Sequence, residues 1–169
     1  MARVRQFGIE PASGLVAPVA WPSGGGAPAT ATTGTDTTPV VTETYVARVF
    51  IPLNVSLTGI SILNGSAVAG NIMVALADSN GSVIASSAST AASGTAAYQA
   101  VPFSAITPVK GPGEYFILLQ CNNTGYRFRS HAVGVFKAGK LTSQTYGTLP
   151  AFTPPTSFAA DLGPIASTY

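Results

Sequence analysis

The chain has 169 residues, of which only 8% are charged, with eight Lys and Arg against six Asp and Glu, and a formal net charge of +2. A usual share is about a quarter. So few cations exclude a phosphate-neutralising nucleic-acid surface, and no window approaches the ~20 apolar residues of a membrane span. A free-standing domain disperses its surface with many charges of both signs; this composition instead fits a subunit whose surface is covered by neighbours.

The chain divides into three textures. Residues 1–39 are rich in Pro, Gly, Ala and Thr and read as an extended N-terminal arm that cannot fold alone. Phe7 and Trp21, the sole tryptophan, are spaced along it as candidate anchors, with Arg3 and Arg5 as basic contacts. Its apolar run near residues 14–21 is short and broken by Pro18, so no secretion signal is expected and the protein is placed in a reducing cytosol.

Residues 40–137 form the predicted body, and its signals are β. Residues 41–51 are dense in β-branched and aromatic side chains and stop at Pro52. Residues 55–63 alternate around Gly59, and Asn64-Gly65 reads as a turn. Residues 71–77 and 82–87 flank the turn at 78–81, the clearest hairpin signal. The Ala-rich stretch 86–97 carries too much Ser, Thr and Gly for a helix and is expected as a loop. Residues 98–103 form a strand that Pro102 marks as an edge or strand end. The turn at 110–113 launches 114–121, and strands 126–131 and 133–136 close the series. Regular spacing of short strands and Gly/Asn/Pro turns predicts an all-β, antiparallel β-sandwich or jelly roll. Residues 138–169 are an irregular, Pro/Gly-rich segment in which Phe152, Phe158, Ile165 and Tyr169 are expected to pack on the body or on a neighbouring subunit.

Chemistry is sparse. His131 is the only histidine and lies beside Arg127 and Arg129 with no acid in its strand, so no nucleophilic triad is expected. Neither a glycosidase carboxylate pair nor a zinc or calcium pattern is present, so catalytic residues, metal and cofactors are all expected to be none. Cys121 excludes an intrachain disulfide and reads as a small buried hydrophobe. Sequons at Asn54, Asn64, Asn80 and Asn122 read as turn residues. Alternation places Arg127, Arg129 and His131 on the face opposite Tyr126, Phe128 and Ser130, as the outer face of a half-buried strand or as a subunit-contact strip.

Residues 52–65 (PLNVSLTGISILNG), 74–81 (VALADSNG), 109–116 (VKGPGEYF) and the ending GTLP…PPT…GPIASTY resemble small virion structural proteins of tailed bacteriophages, over about residues 37–169. The resemblance implies a capsid- or fibre-associated β-sandwich, commonly trimeric and without enzymatic activity. The expected function is capsid decoration (cement), made in the host bacterial cytoplasm and carried on the capsid surface, with the major capsid protein and its own copies in a homotrimer as partners. The alternative is a head- or tail-fibre module recognising host surface polysaccharide.

Overall fold

The computed structural model describes residues 21–22, 34–132, 134 and 136–169. Among the described residues twelve strands follow in chain order: β1 Trp21–Pro22, β2 Thr35–Thr37, β3 Thr44–Ile51, β4 Val55–Leu63, β5 Asn71–Ala77, β6 Val83–Ser86, β7 Thr90–Ala91, β8 Tyr98–Val109, β9 Gly113–Cys121, β10 Phe128–Ser130, β11 Ala138–Leu141 and β12 Ala166–Thr168. All pairings are antiparallel, and there is no helix among the described residues.

One sheet has the order β11-β3-β9-β5-β6 with β7 beside β5, and a smaller one runs β1-β12-β4-β8; β10 pairs with β2 apart from both. The two larger sheets share one core. Val49, Ile72, Val74, Leu76, Ile117 and Leu119 of the first meet Leu57, Ile60, Ile62, Val101 and Val109 of the second. The predicted sandwich is therefore what the chain forms, whereas these strand orders do not establish the jelly-roll wiring.

The larger sheet is apolar on both faces. In β9, Ile117, Leu119 and Cys121 point to the shared core, while Phe116 and Leu118 point outward with Val46, Ala75 and Ala77. Leu149 and Phe152 from the C-terminal segment cover this second face, which Leu141 of β11 extends at the sheet edge. A strand buried on both sides reads as a nearly continuous apolar run, as β9 does, because neither face tolerates polar alternation.

The C-terminal segment is thus built into its own body. The Gln120 side chain donates to Thr44 Oγ1 (2.8 Å) and to the Thr148 carbonyl (2.9 Å), and accepts from the Gly147 N–H (3.1 Å). Phe152 N–H bonds the Gly81 carbonyl at 3.1 Å. Gly81 has φ +82°, and a Cβ there would strike the Phe152 carbonyl, so the hairpin turn has to be glycine for the segment to seat. At the end of the chain, β12 lies beside β4, and Gly59 exchanges both backbone hydrogen bonds with Tyr169. A Cβ on Gly59 would collide with the Tyr169 ring, which explains the break in the alternation of β4.

Several expectations change in detail. The expected strand 41–51 starts at Thr44, because Val40 and Glu43 close a turn first. The one expected at 98–103 continues to Val109 through an irregularity opposite Thr58. Leu63 donates to Ile165 and Gly59 pairs with Tyr169, so Ile60 and Ile62 turn toward Val101 and Gln99; Pro102, opposite Gly59, faces away from β4 on the edge strand of its sheet, where Phe103 makes a single bridge to Ser87. A proline there removes a donor that would invite another strand. The strand expected at 126–131 contracts to Phe128–Ser130 and pairs with β2, so the body reaches back into the predicted arm. In the strand expected at 133–136, Val133 and Val135 lie outside the described residues; Phe136 sits buried in a bend, and the strand is β11.

Asn64 is not a hairpin-turn residue. It is fully buried and organises a polar cluster. Its Nδ2 donates to Ser93 O (2.6 Å), Gly94 O (3.2 Å) and Gln99 Oε1 (3.1 Å), and its Oδ1 accepts from Tyr126 OH (2.6 Å). These bonds hold the predicted loop against β4. Replacing Asn64 by Ala strips partners from Tyr126 and Gln99 in the interior, so Asn64→Ala is expected to cost about 1–3 kcal/mol. A chemical-denaturation midpoint unchanged from the parent chain would refute that role.

Candidate interaction surface

The charges that are scarce in sequence are largely spent on each other. Glu114 accepts from Arg48 Nε (2.6 Å) and Lys137 Nζ (2.8 Å), joining β3, β9 and the start of β11. Glu43 accepts from Lys140 Nζ (2.7 Å) and Tyr45 OH (2.7 Å). Asp36 bonds Ser66 and lies 3.9 Å from Arg129 Nε, with Arg127 also acting on it. The Asp78 carboxylate takes the Asn80 and Ser82 N–H groups, each at 2.9 Å, inside the hairpin turn, and Asp161 accepts from Thr35. Lys110 is the one cation among the described residues with no carboxylate beside it.

Burial alone would raise the carboxyl groups of Glu114, Glu43 and Asp36. Hydrogen bonds from Lys137 and Arg48, from Lys140 and Tyr45, and from Ser66 outweigh it, so all three titrate below their ordinary values. His131 moves the other way in charge: burial disfavours its cation and pushes it down to about 4. Its ring stands edge-on to Phe136 with centroids 4.3 Å apart. The Cys121 thiol is buried and pushed up to about 12, so it stays protonated.

The expected Arg127–Arg129–His131 strip is accordingly not an open row of charge. Arg127 Nη1 and Arg129 Nε are buried, Arg129 Nε lies 3.9 Å from Asp36 while the Arg127 charge also acts on that carboxylate, and His131 is neutral near pH 7. Of the candidate anchors, Arg3, Arg5 and Phe7 lie outside the described residues, and Trp21 pairs through its backbone with Thr168 of the same chain. Ile165 is buried, Tyr169 is half-buried against β4, and Phe152 meets Phe116 edge-on at 6.3 Å, all within the chain. Phe158 does not pack in this way; it is 62% exposed.

No group of three or more His, Cys, Asp or Glu among the described residues is placed to hold a metal ion. A cleft of about 280 Å³ between β6 and β8 is lined by Val83, Ile84, Ala85, Ser86, Ser104, Ala105 and Thr107, with no charged side chain. Beside it, Ile106 is 69% exposed. Sequence reasoning passed over this residue because the alternation of β8 breaks at the irregularity just before it. It also passed over Phe50, on the outer face of the larger sheet, and Leu53, in the β3–β4 turn. No family model, curated protein or solved structure matches this chain.

Two outcomes follow from the titrations. The depressed carboxyls contribute stability that is complete above their ordinary range and is lost as pH falls through their lowered values. His131 adds a loss at higher pH, since the unfolded imidazole takes its proton near 6.5 and the folded one only near 4. Thermal melts are therefore expected to fall from about pH 6.5 downward, and His131→Phe should flatten the stretch between about 6.5 and 4; an unchanged profile counts against the buried neutral imidazole. Cys121 is expected to resist a thiol reagent at neutral pH in the native protein and to react fully in denaturant, and equal native reactivity would contradict its burial.

Proposed function

We propose that this chain is a virion structural protein of a tailed bacteriophage, a capsid decoration (cement) protein without enzymatic activity. It binds the assembled head on the major capsid protein and does so as a homotrimer. The observation that carries this reading is the internal consumption of charge. Five described carboxylates are engaged within the chain, and the exterior carries the exposed apolar side chains Phe50, Leu53 and Ile106. A dispersed monomer keeps free charge outside; a surface of this kind suits contact with neighbours. The resemblance over about residues 37–169 supports the same class.

The mechanism is linkage. A subunit that binds only the assembled shell stabilises that shell by its binding free energy. Arg3, Arg5, Phe7 and Trp21 are the proposed anchors on the capsid, and Thr35–Thr37 belongs to the body through its pairing with β10. The informative truncation is therefore residues 1–20, which leaves β1 and β2 in place.

In virions of the phage that encodes it, the protein is expected at a copy number close to that of the major capsid protein. A copy number far below that would favour the fibre reading, and absence from virions would end both. Deleting residues 1–20 should weaken head binding by about tenfold or more, whereas undiminished binding would remove those residues as anchors.

A further inference from the structure

One end of the sandwich carries the features of a docking tip. There the β3–β4 turn and the β8–β9 turn lie against each other. Asn54 Oδ1 accepts the Gly111 N–H at 2.9 Å, Tyr115 OH donates to the Lys110 carbonyl at 2.6 Å, and a Cβ on Gly111 would run into the Leu53 backbone. These bonds hold both turns in one conformation, yet they leave apolar side chains outside: Phe50 is 44% and Leu53 40% exposed. The ridge continues along the end of β8, where exposed Ile106, Pro108 and Lys110 alternate with the half-buried Thr107 and the buried Val109.

Two properties separate this end from a chance scatter of surface hydrophobes. The apolar groups sit on clamped backbone, so ordering them on a partner costs little additional entropy. Lys110 stands among them as the one described cation with no carboxylate beside it, in a chain where every other described cation lies near an acid. An ammonium with no described carboxylate beside it, at the same end as exposed Phe50 and Leu53, is complementary to an apolar cleft edged by a carboxylate.

We infer that this tip, centred on Phe50, Leu53, Ile106 and Lys110, is the surface through which the folded body docks, and that its partner is a protein surface presenting an apolar cleft with an acidic side chain at its rim. The inference rests on the decoration reading and deepens it: that cleft belongs to the assembled head. Body and N-terminal residues then make separate contacts, and their effects on affinity combine.

The test uses the full-length chain and heads of the encoding phage prepared without it, with binding followed by co-sedimentation. Phe50→Ser with Leu53→Ser is expected to weaken binding by about tenfold or more. Lys110→Glu should do so by a similar factor, and Lys110→Gln should reduce the salt sensitivity of binding. Val41→Ser, at the opposite end of β3, serves as the control and should bind like the parent chain. All four positions are exposed, and a melting temperature near that of the parent chain verifies that each variant is folded. If the parent chain binds heads and the tip variants bind equally well, the tip is not the docking surface while decoration stands. If the parent chain does not bind heads, the decoration reading and the tip fall together.

Discussion

The outer face of the larger sheet has to be covered, and most of the architecture answers to that. β5 and β9 are apolar on both sides, so packing the two sheets together satisfies only half of their surface. The other half, around Val46, Phe116 and Leu118, would face water if Leu149 and Phe152 were not laid over it. Burying side chains of this size is worth roughly 1.5–3 kcal/mol each, which makes the C-terminal segment part of the core. Its attachment points are specific: Gln120 holds the turn at Gly147 and Thr148, Gly81 receives Phe152, and β12 completes the smaller sheet beside β4.

The few charges serve the same end. Lys137 and Lys140 tie β11 and its approach to Glu114 on β9 and Glu43 just before β3, and Arg48 closes the group. Individually such partly exposed pairs are worth about 0.2–1 kcal/mol. They sit where the C-terminal segment enters the sheet, so they fix the register of β11 against β3 more than they add bulk stability. This use of charge pairs most of the described charges with one another while leaving them partly exposed.

The regions legible in the sequence are those with local causes. β4 and β5 have the boundaries that alternation indicates, and β5 ends where residues 78–81 turn the chain. The β5–β6 hairpin follows from the Asp78 side chain, which caps its own turn. The inert character of Cys121 is likewise legible from its place in an apolar strand. β8 is different: residues 104–109 have no clean alternation and contain Pro108, and they become strand because β4 lies alongside to pair with them.

Composition and periodicity were enough for an antiparallel sandwich and the edge position of Pro102, because each depends on residue type or on neighbours in the chain. The fates of the polar and charged side chains depended on contacts between residues far apart in sequence. Asn64 reads as a turn and is a buried hub; Arg127 and Arg129 read as the outer face of a half-buried strand or a contact strip, and the acid they act on, Asp36, lies 91 or more residues away in the chain. Lys110 is conspicuous only once every other described cation has found its acid. Pairing at that range is set by which strands the fold brings side by side, and no local pattern records it.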